Sequence, residues 1–149
     1  MATEARVLVI ESNDALRVML FTVLRHQPLG VDTSANADDA IEKVTGCDYA
    51  LILLDMNLPD NAAEDFLRRF HEARPEATSF ILAVRDPRHE LTIDPQWVNA
   101  IVNKPVEIDT LADVVRECAL VVEPPADPLP CPQPAESERM TGFDDTLPN

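Results

Sequence analysis

A chain of 149 residues that is 46% hydrophobic has the size of one ordinary domain and enough apolar side chains to bury a core. Its 27 acidic against 12 basic residues leave a formal net charge of −15, which speaks against nucleic-acid binding through a basic face. No apolar run reaches 18 residues, and "MATEARVLVI" lacks the basic flank and long apolar stretch of a signal peptide, so a cytoplasmic protein without membrane insertion is expected.

The first 122 residues alternate between two periodicities. "RVLVI" (Arg6 to Ile10) is a short, β-branched apolar run that suits a strand buried on both faces. Leu16, Met19, Leu20, Val23 and Leu24 then recur at helical spacing. Gly30 punctuates, and "VDTSA" reads as a short strand. In "NADDAIEKV" Asn36 stands as an N-cap, with Ala37, Ala40, Ile41 and Val44 on one face, and Gly46 ends that helix. "YALILLD" is the next continuous apolar strand. Phe66, Leu67 and Phe70 mark a helix that stops before Pro75. "FILAV" (Phe80 to Val84) and "AIVNKP" are two further strands. Ile108, Leu111, Val114, Val115, Cys118 and Val122 form a closing helical stripe.

Strand and helix alternating in this way predict parallel β-α-β units in a sheet covered on both faces. The weak point is "RDPRHELTIDPQWV", where Pro87 and Pro95 leave room for two helical turns at most, so a short or irregular segment is expected. Cys47, Cys118 and Cys131 lie far apart without C-x-x-C spacing and read as reduced thiols. His26, His71 and His89 are isolated and read as solvated surface residues. Trp97, beside the irregular segment, fits either core filler or an exposed anchor for a partner. From residue 123 to 149 the chain turns proline-rich and acidic. The expected division is therefore a domain over 1–122 and a disordered tail over 123–149, in which Met140, Phe143 and Leu147 are the apolar exceptions.

In an open parallel sheet, sites form beyond the carboxyl ends of the strands. The first strand is followed by Glu11, Ser12, Asn13 and Asp14. The apolar run "LILL" ends in Asp55, with Asn57 two residues on. Val84, Arg85 and Asp86 follow the next strand, and Lys104 precedes Pro105 at the end of the last. Polar residues commonly end strands, so each has a bland reading alone. The convergence of Glu11, Asp55 and Lys104 on one edge is the informative part.

These segments resemble the receiver domain of bacterial response regulators. "VLVIESNDALR" stands where that family has its acidic strand end and first helix, "LILLDMNLPD" is close to its phosphoacceptor segment, and "VNKPV" matches its Lys-Pro signature. The resemblance covers about residues 5 to 122. It implies a doubly wound, five-stranded, flavodoxin-like α/β fold. It also implies Asp55 as phosphoacceptor, Lys104 as the cation contacting the phosphoryl group, and Mg2+ held by Glu11, Asp55 and the backbone carbonyl of Asn57. Implied partners are a histidine kinase or histidine phosphotransfer protein and an unnamed output protein, with a second copy of the chain as a further option. The implied role is signalling, not enzymatic.

The departures from the family pattern are specific. Ser12 stands where a second acid is usual, so a divalent cation loses one charge of attraction, roughly 4 kcal/mol at about 4 Å and an effective dielectric near 20, before desolvation. Mg2+ binding is therefore expected to be weak or absent. Val84 (or Ala83, by a one-residue shift) replaces a hydroxyl, Ile101 replaces an aromatic, and Ala63 replaces a glycine. Two readings follow: a phosphoaccepting signalling domain, and a pseudo-receiver that docks partners without phosphorylation. A third, an unrelated enzyme on the same architecture, finds no Gly-rich phosphate loop, no G-x-S-x-G and no metal-spaced His pair.

Overall fold

The computed structural model describes residues 5–88, 90 and 94–122. Five strands, β1 (Ala5–Ile10), β2 (Leu29–Ser34), β3 (Leu51–Asp55), β4 (Phe80–Arg85) and β5 (Ala100–Asn103), form one sheet in the order β2-β1-β3-β4-β5. All four pairings are parallel. Four helices, α1 (Asp14–Leu24), α2 (Ala37–Gly46), α3 (Ala62–Ala73) and α4 (Ile108–Leu120), supply the crossovers and the closing layer. This is the flavodoxin-like order, in which chain direction across the sheet reverses between β1 and β3 and opens a crevice there.

The apolar runs sort by their period of two. Leu8, Ile10, Ile52, Leu54, Ile81 and Ala83 face one way, into a core with Phe66, Leu67 and Phe70 of α3 and Ala40 and Val44 of α2. Val7, Val9, Leu51, Leu53, Leu82 and Val84 face the other, against Leu20 and Leu24 of α1 and Leu111 and Val115 of α4. Burial on both faces explains why the central strands read as unbroken hydrophobic runs. The two helix starts are built as read. Asn13 accepts from the Leu16 N–H at 2.9 Å and Asn36 from the Asp39 N–H at 2.8 Å, each satisfying one orphan donor.

Between β4 and β5 the described residues hold one 3-10 turn, Pro95–Trp97, capped by Asp94, which accepts from the Gln96 N–H at 2.9 Å. Ile101, on β5, is uncovered. It pairs with Ala83, on the α2 and α3 side of the sheet, yet is 45% exposed. Trp97 is half-buried against that core and lies 5.5 Å from the exposed His71 ring. His26 is exposed, and His89 lies outside the described residues.

Three expectations need correction. Gly30 lies inside β2, opposite Arg6. A Cβ there would come within 2.9 Å of Arg6 Nη1 and 3.2 Å of its Cγ. The glycine lets the Arg6 side chain cross β2 to reach Asp32 at 2.7 Å, and Asp32 also accepts from the Tyr49 hydroxyl at 2.7 Å. Met19 is 51% exposed, because Leu20 and Leu24 set the buried face of α1 one position on. Cys118 is a free thiol, but Cys47 is buried and disulfide-bonded. The readings of Cys131 and of a disordered tail over 123–149 fall outside the described residues. Among the described residues, no helix is long and apolar enough to cross a membrane.

Candidate functional site

β1, β3 and β5 run parallel and end on one edge. That edge carries Glu11 just past β1, Asp55 as the last residue of β3, and Lys104 just past β5. The register pairs Ile10 with Leu54, so Glu11 and Asp55 leave adjacent strands at the same level. Both are buried, at 5% and 7% exposure, whereas strand-end carboxylates usually turn to water.

Asp55 is held by two donors. Its Oδ1 accepts from the Asn57 N–H at 3.0 Å and from Lys104 Nζ at 3.1 Å. The loop after β3 is stapled in turn, since the Met56 N–H donates to the Val84 carbonyl at 2.8 Å and Asn57 Oδ1 accepts from the Asp86 N–H at 3.0 Å. Lys104 is set by the end of the sheet: its N–H donates to the Arg85 carbonyl at 2.8 Å, and the Lys104–Pro105 peptide is cis. Arg85 itself turns to β5, its Nε donating to Asn103 Oδ1 at 3.0 Å.

Glu11 is placed by the start of α1. Its Oε2 accepts from the Asn13 N–H at 3.1 Å, and Arg17 Nη1 donates to its backbone carbonyl at 2.9 Å. Burial pushes the Glu11 carboxyl up to about 7. The Asn13 N–H pulls the other way. The neighbouring Asp55 carboxylate raises it further, by its charge and by a hydrogen bond between the two, and Lys104 offsets part of this. Asp14, which the sequence places at the start of the first helix, is there, exposed and paired with Arg17 at 2.6 Å.

A cavity of about 320 Å3 opens beside these three side chains, between the strand ends and helices α1 and α4. Val84 lines it, in register with Asp55, while Ala83 faces the opposite core; Val84 is thus the β4 side chain next to Asp55. A larger cleft of about 830 Å3 lies against α2 and α3, lined by Asp38, Asp65, Arg68 and Trp97 among others, but Glu11, Asp55 and Lys104 do not line it. Among the described residues, no three His, Cys, Asp or Glu side chains group as a metal cage.

No family model matches the chain. Among curated proteins, the cell cycle transcriptional regulator CtrA of Caulobacter vibrioides is 33% identical over 78 residues, covering 52% of this chain and 34% of that protein. Among solved structures, the regulatory domain of the repressor of iron transport regulator RitR, in its inactive form, is 27% identical with a TM-score of 0.67, covering 76% of this chain and 93% of that one. A CheY-like receiver domain from Methanospirillum hungatei is 20% identical with a TM-score of 0.66, covering 78% of this chain and 94% of that one. In sequence the chain is similar to response regulators, and its fold is that of their receiver domains. It spans about a third of the length of the first curated relatives it matches.

In this receiver-type fold, Ser12 sits half-buried beside Glu11, Ala63 is fully buried in α3, and Ile101 points outward on β5. The sequence reading did not foresee the Asn13 clamp on Glu11 or the Asn57–Asp86 staple. The first had a signal, since an N-cap asparagine two residues after a strand-end acid brings its own N–H close to that acid.

Proposed function

We propose that this receiver accepts a phosphoryl group on Asp55 from a histidine kinase or histidine phosphotransfer protein and acts through protein contacts. The observation that carries the reading is the Lys104 Nζ–Asp55 Oδ1 contact of 3.1 Å between the ends of β5 and β3. A carboxylate attacks phosphorus only where the charge of the phosphoryl group is neutralised and the group is held in line. Oδ1 is engaged by two donors, which leaves Oδ2 as the nucleophile. Its lone pair forms the new O–P bond while the bond from phosphorus to the donor imidazole nitrogen breaks. The imidazole leaves with that electron pair and takes up a proton. Lys104 then stands as a compact point charge against the phosphoryl oxygens.

Glu11 and Asp55 are two buried carboxylates on adjacent strands, with one ammonium on Asp55, a donor set that suits a hard divalent cation. Glu11, Asp55 and the Asn57 carbonyl would hold Mg2+, weakly, because Ser12 brings no charge; when bound, the ion neutralises charge on the transferred group. The role is signalling, not turnover.

A second reading, a partner-docking module that works without phosphorylation, draws on Val84 and Ile101. The first offers no hydrogen bond beside Asp55, and the second is already turned out. Incubation with acetyl phosphate and Mg2+, followed by mass spectrometric mapping, separates the two. Label on Asp55 supports phosphoacceptance. A clean Asp55, with Asp14 or Asp60 labelled or with no label anywhere, defeats it.

A further inference from the structure

The cleft against α2 and α3 takes no part in the phosphoacceptor edge. Its volume of about 830 Å3 lies in the range of binding clefts, and its apolar lining includes Leu58, Pro59 and Trp97. Trp97 packs on the α2 and α3 core, is half-buried, and still lines the cleft. A tryptophan that is held by a core and open to a cleft has the form of a binding anchor, because it offers a large contact area with little rotamer freedom left to lose.

Four chain segments bring carboxylates to this cleft: Asp38 from α2, Asp60 from the turn before α3, Glu64 and Asp65 from α3, and Asp94 from just before Pro95. Arg68 is the one cation among the described lining residues, and it is tied to Asp65 at 2.6 Å. Acids are ordinary in the first turn of a helix, which accounts for Asp38, Glu64 and Asp65 by themselves. Asp60 and Asp94 stand outside the α-helices, are exposed, and have no ion pair among the described residues. The occupant follows from charge. Residues 123–149 hold six acidic against one basic residue, and a second copy of the chain brings a net charge of −15, so both are repelled. A nucleic acid is repelled for the same reason. A purely apolar segment would cover Trp97 but strip water from the carboxylates and give them no hydrogen bond in return.

We propose that this cleft docks a basic segment of a partner protein, with arginine or lysine side chains meeting Asp60 and Asp94 and an apolar side chain packing on Trp97. The inference does not need Asp55 to be phosphorylated, and it fails or stands independently of that reading.

Trp97 is the only tryptophan of the chain, so its fluorescence reports on the cleft directly. The full chain is titrated to about 1 mM with three peptides, a leucine flanked on each side by two arginines, two glutamates or two serines, and the binding is mapped by amide NMR. The arginine peptide is expected to change the Trp97 emission, to shift the Leu58, Asp60 and Trp97 amides, and to bind about tenfold or more tightly than the serine peptide, with no response to the glutamate peptide. The double variant Asp60→Asn with Asp94→Asn, whose amides suit the same turn and the same cap, should weaken the arginine peptide about tenfold. Asp113→Asn with Glu117→Gln removes as much charge from exposed positions of α4, on the other face of the sheet, and should leave its affinity within about twofold. Equal losses in the two double variants would mean a diffuse attraction to an acidic protein and would overturn the proposal. So would equal binding of the arginine and serine peptides, shifts confined to the edge of Glu11, Asp55 and Lys104, or no response to any peptide.

Discussion

Glu11 and Asp55 lie side by side at the ends of β1 and β3, both buried, and among the described residues only Asp55 of the two has an ion pair, with Lys104 at 3.1 Å. Two carboxylates and one ammonium in a buried site favour one retained proton near neutral pH. That is why the Glu11 carboxyl is pushed up, by burial first and by Asp55 second. The same relationship sets the stability, the metal affinity and the chemistry of the edge.

The first consequence is a pH dependence of stability. Folded Glu11 keeps its proton up to about pH 7, whereas the unfolded chain releases it near 4.5. Between those values the folded state binds more protons, so stability falls as pH rises through the window and levels off above it. Glu11→Gln removes this term while keeping an acceptor for the Asn13 N–H. The variant should unfold at higher urea concentration than the parent at about pH 8, by roughly 1–3 kcal/mol, and match it below about pH 4.5. A gain that is the same at both pH values would mean that Glu11 is not the group responsible.

Removing Lys104 should be harmful in a way that a second change repairs. Lys104→Met leaves Asp55 buried without its cation and beside Glu11. Because the Lys104 side chain is 33% exposed, the cost should be roughly 1–3 kcal/mol, below that of breaking a fully buried pair. Asp55→Asn on that background should recover most of it, since the amide needs no counter-charge. A double-mutant cycle from urea midpoints measures the coupling, and additive effects would show that the 3.1 Å contact contributes nothing.

The placement of Asp55, Lys104 and Glu11 was legible because it follows from topology. Apolar runs with a polar residue at the end, alternating with helical stripes, can build few sheets, and those sheets put the strand ends together. What escaped the sequence depends on neighbours that are distant along the chain. Gly30 looks like a turn residue until Arg6 is seen lying across it toward Asp32. Met19 fits a helical stripe, but Leu20 and Leu24 fix the rotation of α1 once β1 and β2 are beneath it. The choice between Val84 and Ala83 is a one-residue shift that no composition rule settles and that the pairing with Asp55 does. The disulfide at Cys47 left no spacing signal at all.

Divalent affinity should respond to one substitution. Ser12 is half-buried next to Glu11, where a carboxylate would add a third anionic side chain to the edge. Ser12→Asp is expected to tighten Mg2+ binding by tenfold or more in isothermal titration, because a hard cation gains one full charge of attraction, of order a few kcal/mol before desolvation. The same variant should lose stability without Mg2+ and regain it on addition, by linkage. Tight Mg2+ binding in the parent chain, or no gain in the variant, would refute the weak-metal reading.

The last prediction concerns how far a phosphoryl group on Asp55 would be felt. A ligand moves a two-state element only by its differential contacts with the two states. In the family this chain resembles, a hydroxyl at the end of the fourth strand follows the phosphoryl group, and an aromatic on the fifth strand turns inward behind it. Here Val84 stands beside Asp55 with no hydrogen bond to give, packed at 6% exposure into the α1 and α4 side. Ile101 faces the other side of the sheet, 45% exposed, and it has neither a polar tip nor a planar ring to swing. The two positions lack a shared movement. What remains is Lys104, bound to Asp55, and the loop tied by the Asn57–Asp86 hydrogen bond. Lys104 would keep its anionic partner after phosphorylation and change its position little. Partner affinity should therefore differ by less than about tenfold, below roughly 1.4 kcal/mol of coupling, between Asp55→Asn and the beryllofluoride-bound protein. Calorimetry against a physiological partner measures the ratio. A ratio well above tenfold would require a two-state element elsewhere, and the Asn57–Asp86 loop is where amide NMR should then show the largest shifts.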